Sequence, residues 1–432
     1  MRTSFWASLG SFALGLAGVA TPAIAADDQP GGGRVWIGTW ATAAQPFIPK
    51  SLQTYRNQTL RLIVHASAGG HKVRIKVSNT YGDQPLMIGA AHIARRATAA
   101  DIDPATDRTL KFRGQSSVTI PAGALAVSDS VELDVSALSD LAISMFLPQP
   151  TEAKTVHSLA KQTSYLSPET GDATAAAKFP VAKPIRNWPF LTGVDVEAPP
   201  GSFSIVALGS SLTDGDGTTA DTNGRWPDVL AARLQKDSGR KVEIGVLNEG
   251  IIGNRLLYDS PKVATNPFGS GLGESGLARF DRDVLDQSGV KYVVLGLGIN
   301  DMLFPAFPFT PAGETGTADQ IIAGYRELIA RVHKRGIRII GTTNPAFEKS
   351  AFEGFVESFF TPEREAARQK VNNWILSSGE FDAVVDLDKV LRDPARPTQL
   401  LPAYDSGDHL HPNNAGCAIE ANAFPLTLFK EN

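Results

Sequence analysis

The chain has 432 residues, 42% of them hydrophobic and 20% charged, with Lys plus Arg at 41 against 45 Asp plus Glu, a formal net charge of −4. That composition excludes a disordered chain and is long enough for two or more domains. It supplies no global field to gather nucleic acid, so no nucleic-acid partner is expected. The single cysteine, Cys417, excludes an intrachain disulfide and a cysteine-based zinc site.

Residues 1–25 read as a signal peptide: Arg2, an apolar stretch from Trp6 to Ala20, and the small-x-small site Ala23-Ile24-Ala25. Ser8, Ser11, several glycines and Pro22 interrupt the run of about 20 apolar residues that a membrane anchor needs, so no transmembrane anchor is expected. The expected location is secreted or periplasmic.

Residues 34–200 alternate with period two. Leu60, Leu62 and Val64 interleave with Arg61, Ile63 and His65, and Val73, Ile75 and Val77 with Lys72, Arg74 and Lys76. Period two predicts strands with one face buried and one face wet. Turn signals such as Gly69-Gly70 and Pro121-Ala122-Gly123 separate the runs. The expectation is an all-β sandwich or jelly-roll-like domain. The stretch Glu197-Ala198-Pro199-Pro200-Gly201 reads as a stiff connector.

Residues 203–432 change character. Short apolar runs (Ile205 to Leu208, Val242 to Leu247, Tyr292 to Leu297, Ile337 to Ile340, Val384 to Leu387) alternate with helical stretches. One helix has Pro227 in its first turn, with Trp226, Val229, Leu230 and Leu234 on one face. A second carries Ile321, Ile322, Tyr325, Leu328, Ile329 and Val332 and ends near Gly336. A terminal helix is expected over Ala415 to Leu426, with Cys417 buried in it. Strands alternating with helices predict an α/β fold with a parallel sheet.

Ligands of such sheets bind beyond the carboxyl ends of the strands. Three glycine-rich segments follow the first three runs: Gly209-Ser210-Ser211-Leu212-Thr213, Gly250-Ile251-Ile252-Gly253-Asn254 and Gly298-Ile299-Asn300-Asp301. Asp408-His409-Leu410-His411 stands near the C-terminus. Together they could place a hydroxyl, backbone N–H donors, an amide and an imidazole on one rim.

Asp408, His409 and His411 also hold ligand types for a metal, which with Asp214 to Thr218 would make a metal-dependent phosphoesterase. Sensitivity to chelators distinguishes that reading. The Asp214 to Thr218 stretch lacks the glutamate of a calcium loop, with Arg225 in its place, and its aspartates read as turn residues lining the site rim. Phe304, Phe307 and Phe309 alternate with prolines; they could wall a substrate pocket or pack a loop against the core.

The four segments, in this order, resemble the GDSL, or SGNH, hydrolase family over roughly residues 203–420. The N-terminal half, beginning Trp36-Ile37-Gly38-Thr39-Trp40, is similar to the β region of a secreted bacterial subset of that family. The resemblance implies an SGNH-type three-layer α/β/α hydrolase domain with a parallel sheet. It implies a nucleophile at Ser211, a base at His411 and an orienting carboxylate at Asp408. The oxyanion hole would be the Ser211 and Gly253 backbone N–H groups and the Asn300 amide. Phe304 and Phe307 are substrate-binding candidates on the pocket-wall reading of their loop, not through the resemblance. No cofactor is implied. Expected substrates are carboxylic esters, among them acylated carbohydrate and lipid. The alternative is a catalytically weak glycan-binding surface protein, separable by its failure to turn over an activated ester. The chain departs from the family at Ser210, where aspartate is usual; serine accepts backbone N–H bonds more weakly, so a less firmly held turn is expected.

Overall fold

The computed structural model describes residues 33–237 and 242–430; the signal peptide expected at 1–25 lies outside the described residues. In the β region the longer strands are β1 (Val35–Ala41), β2 (Gln58–His65), β3 (Gly70–Ser78), β4 (Ala90–Thr98) and β5 (Asp140–Leu147), followed by the short β6 (Thr155–His157) and then β7 (Leu191–Ala198). One antiparallel sheet has the order β1-β7-β3 and the other contains β2-β5-β4, with Ile143 of β5 opposite both Leu62 and Ile93. The alternation predicted from sequence closes the space between the sheets: Leu60, Leu62 and Val64 share one core with Val73, Ile75, Val77 and Val196.

The expectation of one wet face fails on β2 and β3. On β2, Arg61 and Ile63 are fully buried. Ile63 packs with Ala94, Ile102 and Ala142, and the Arg61 guanidinium donates to the carbonyls of Ala100, Thr174 and Ala176. An irregular segment therefore covers the second face, and it does so with backbone acceptors that strand periodicity does not announce. On β3, Arg74 and Lys76 are buried against Asp195, and Lys76 Nζ also donates to Gln287 of the C-terminal half.

In the second half β8 (Phe203–Gly209) leads into α1 (Ser211–Asp214) and α2 (Trp226–Lys236), then β9 (Ile244–Gly250), β10 (Val290–Gly296), α3 (Ile299–Leu303), α4 (Ala318–Lys334), β11 (Arg338–Thr342), α5 (Pro362–Ser377), β12 (Ala383–Val385) and α6 (Asn414–Ala423). The five strands pair in parallel in the order β9-β8-β10-β11-β12. Alternate residues of each strand enter different cores. Val206, Leu208, Val293 and Ile339 pack with Ile321, Leu328 and Val332 of α4 and Val371 of α5. Ile205, Ala207, Tyr292 and Ile340 pack with Leu230 and Leu234 of α2 and Cys417 and Ala421 of α6. Burial on both faces is why these strands read as continuous apolar runs.

Glu197 and Ala198, expected in the connector, continue β7, which leaves a shorter link before β8. The two halves are bonded directly: Gly38 N donates to Ser204 Oγ on β8, and Ser204 Oγ donates to Ser288 O. Among the described residues, no helix is long and apolar enough to cross a membrane.

Candidate active site

β8 ends at Gly209, and the chain turns through Ser210 so that Ser211 becomes the first residue of α1. The turn is pinned from β9: Asn248 Nδ2 donates to Thr213 O at 2.7 Å, and its Oδ1 accepts Gly250 N at 3.0 Å. Ser210 has extended backbone, and its hydroxyl is buried with no hydrogen-bond partner among the described residues. The turn is thus held by Asn248 and by backbone bonds, and the Ser210 side chain takes no share.

His411 arrives from a loop 200 residues away in sequence, with Nε2 at 2.8 Å from Ser211 Oγ. Its Nδ1 lies 2.6 Å from Asp408 Oδ2. Asp408 Oδ1 accepts the backbone N–H groups of Leu410 and His411 at 3.0 and 2.8 Å, the short turn that a three-residue spacing allows. Burial raises the Asp408 pKa, but the hydrogen bond and charge of His411 and these two N–H groups outweigh it, holding the carboxyl well below the usual carboxylate range. Gly217 makes the approach possible. Its φ is +86°, and a Cβ there would stand 2.7 Å from Pro412 O and 3.1 Å from His411 Cβ.

The Gly253 turn lies beside α1. Ile251 N donates to Gly209 O at 3.2 Å, and Ile252 N donates to Asp214 Oδ2 at 3.1 Å. Gly253 is required by its left-handed φ of +68° and by Leu272, 3.0 Å from where a Cβ would sit. Asn300, on α3, is buried, and its Nδ2 donates one hydrogen to Asn254 O at 2.9 Å, which leaves the amide's second hydrogen for another acceptor. The neighbouring Asp301 accepts Leu256 N and Leu257 N, and burial pushes its carboxyl up to about 6. The Gly253 turn is therefore bonded on one side to the turn of Ser211 and on the other to α3.

The sequence-derived residues Ser211, His411 and Asp408 come together as one relay, and Gly253 and Asn300 are joined to it through these bonds. Phe304 and Phe307 are buried in the core: their rings meet at 5.2 Å, Phe307 stacks on Phe309 at 4.8 Å, and the Arg255 guanidinium lies 4.7 Å from the Phe304 ring. The exposed members of this aromatic cluster are Phe352 and Phe355. His409 turns to Asp405, 2.6 Å away, and among the described residues no three His, Cys, Asp or Glu side chains gather as a metal ion requires.

Two residues escaped the sequence reading. Asp214, expected on the rim, is buried, because Oδ1 meets His157 Nε2 from the β region at 3.0 Å while Oδ2 accepts Ile252 N. Arg279 is fully buried and donates to Gly209 O, Glu249 O and Asn254 Oδ1, tying two strand ends to the Gly253 turn. An arginine in a short helix carries no sequence signal of such a role; the apolar flanks of Arg279 are the only hint of its burial.

No curated protein sequence matches this chain. Among solved structures it is similar to the aryl esterase of M. smegmatis (18% identity, 51% of this chain and 96% of that one, TM-score 0.38). It is also similar to a carbohydrate acetylesterase family member from Sinorhizobium meliloti (20%, 52% and 97%, TM-score 0.36). A third is an acetylxylan esterase from Geobacillus stearothermophilus, solved as a catalytic mutant (22%, 54% and 96%, TM-score 0.37). The family model of the GDSL-like lipase/acylhydrolases matches residues 205–424, which takes in the Ser211 turn, the Gly253 turn, α3 and the Asp408–His411 loop, and on that match over half its length the chain belongs to this family.

Proposed function

We propose that the chain is a serine ester hydrolase that works through an acyl-enzyme on Ser211. His411 Nε2 takes the Ser211 Oγ proton as Oγ attacks the ester carbonyl. Asp408 holds the ring so that Nδ1 carries a hydrogen and steadies the imidazolium that forms. The carbonyl oxygen becomes an oxyanion and receives the Ser211 and Gly253 backbone N–H groups and the free hydrogen of Asn300 Nδ2. His411 returns the proton to the leaving alcohol, then takes one from a water whose oxygen bonds to the acyl carbon; the bond to Oγ breaks, His411 gives that proton to Ser211 Oγ, and the acid leaves. The observation that carries this reading is the unbroken relay Asp408 to His411 to Ser211, at 2.6 and 2.8 Å, assembled from segments 200 residues apart.

The reading includes the architecture around the relay: a three-layer α/β/α hydrolase domain over 203–432 and a β-sandwich domain over 34–200. It is supported by the separate cores of the two halves and by helices packed with both sets of sheet residues. The substrates are small carboxylic esters, with acetyl groups on polysaccharide as the particular case for a chain exported by residues 1–25 to the periplasm or the medium. The test is hydrolysis of p-nitrophenyl acetate, butyrate and a long-chain ester, and of acetylated xylan, by wild type and Ser211→Ala. Turnover by wild type and its loss in the variant are expected; equal turnover by both would overturn the reading.

A further inference from the structure

The loop after the nucleophile, 214–221, is gripped along its length by one segment of the β region. Asp214 meets His157 at 3.0 Å, the Thr218 carbonyl accepts Lys161 Nζ at 3.1 Å, and Asp221 N donates to Lys161 O at 2.9 Å. Asp221 in turn accepts Gln162 Nε2 and the Thr163 hydroxyl. The deepest of these contacts is the first. Both side chains are 1% exposed. The Trp188 ring covers the imidazole at 5.7 Å. His157 Nδ1 lies 3.0 Å from Ala43 O, an acceptor, so that nitrogen carries a hydrogen, and a second hydrogen lies between Nε2 and the Asp214 carboxylate. The other Asp214 oxygen takes Ile252 N, next to Gly253. One carboxylate thus joins the last residue of the nucleophile's helix, the Gly253 turn and the β region.

We propose that His157 is a positioning residue of this site: by holding Asp214, it sets the spacing between the Ser211 hydroxyl and the backbone N–H groups that receive the oxyanion. The inference rests on the ester-hydrolase reading. It makes the β region a structural part of the catalytic machinery, which a detachable binding module would not be. The imidazole acts in the dry interior, where a displaced carboxylate has no water to pair with and would drag Ile252 with it.

The test separates the two nitrogens in the full-length protein. His157→Gln places an amide donor where Nε2 meets Asp214; His157→Asn places one where Nδ1 meets Ala43 and leaves Asp214 Oδ1 without its partner. His157→Asn is expected to lower kcat for p-nitrophenyl acetate about 100-fold, as loss of one oxyanion donor does, with KM within about threefold. His157→Gln is expected to recover kcat to within about tenfold of wild type. A purely structural role would move both variants alike; equal losses, or wild-type kcat in His157→Asn, would overturn the proposal. Should neither variant fold, Asp214→Asn, which leaves the imidazole in place, carries the test: about a 100-fold loss of kcat supports the proposal and wild-type kcat ends it. Ser211→Ala is run beside them. If it is inactive while His157→Asn is unimpaired, only the positioning role fails; if it is fully active, the ester-hydrolase reading itself fails.

Discussion

The β region and the α/β region both bury arginines completely, and Arg61 in the first and Arg279 in the second are used differently. Arg61 sits on a strand face, donates to Ser144 Oγ and to the carbonyls of Ala100, Thr174 and Ala176, and fastens an irregular segment over the sheet. Arg279 sits under the carboxyl ends of β8 and β9 and donates to Gly209 O, Glu249 O, Asn254 Oδ1 and Asp283 Oδ2. The first fixes a cover; the second ties two strand ends to the Gly253 turn. What separates them is topology. Antiparallel strands use both of their ends on turns, while parallel strands bring several ends to one edge, where small shifts reach the chemistry. Position relative to the strand ends, more than burial, separates these two arginines.

The comparison breaks first at the relay. Ser211→Ala is expected to lower kcat for p-nitrophenyl acetate by at least about four decades with thermal unfolding unchanged, and Asp408→Asn by about three to four. A smaller loss in Ser211→Ala would move the nucleophile elsewhere. Asn300→Ala should cost about two to three decades in kcat with KM little changed, since the amide's second hydrogen is available to the oxyanion. A KM effect alone would make Asn300 a binding residue. Arg61→Met sharpens the contrast: it removes the donors of five acceptors in the β region and should destabilise by about 3 kcal/mol in denaturant titration, with kcat per folded molecule within about twofold. A loss of kcat there would show that the two halves are catalytically inseparable at every point.

The strands β8 to β11 were legible because burial on both faces writes them as unbroken apolar runs; strand ends and the Asp-x-x-His turn marked the candidate segments, and the resemblance to the GDSL family assigned the relay within them. The buried outer faces of β2 and β3 were not, because their covers are an irregular segment and the other half of the molecule. The pair His157–Asp214 was hidden for a similar reason: 57 residues separate its members, and each is an ordinary turn or strand residue by itself. The helix α5 carries no clean apolar stripe, since Arg368 and Asn372 are buried on it to hold Asp388 and Asn344.

Two smaller effects complete the contrast. Ser210→Ala removes a buried hydroxyl that has no partner, so kcat should stay within about threefold and stability should hold or rise. Glu420, buried on α6, has its carboxyl pushed up to about 8 by burial, against about 4.3 unfolded. The folded chain then holds a proton that the unfolded chain has lost, so this stability is fully present below the unfolded value and disappears as pH rises towards 8. Tm should fall between about pH 5 and about pH 8 in wild type and fall less in Glu420→Gln. Asp408 has the opposite sign: its contribution is present above about pH 4 and is lost only on further acidification.

The central claim is that the Ser211 hydroxyl forms the bond to the acyl group. Mass-spectrometric mapping of the full-length protein after reaction with a fluorophosphonate tests it directly. The account predicts a stoichiometric adduct on Ser211 that parallels loss of esterase activity and does not form in His411→Ala. An adduct on Ser210 or on any other serine, or full inhibition with Ser211 unmodified, would contradict it.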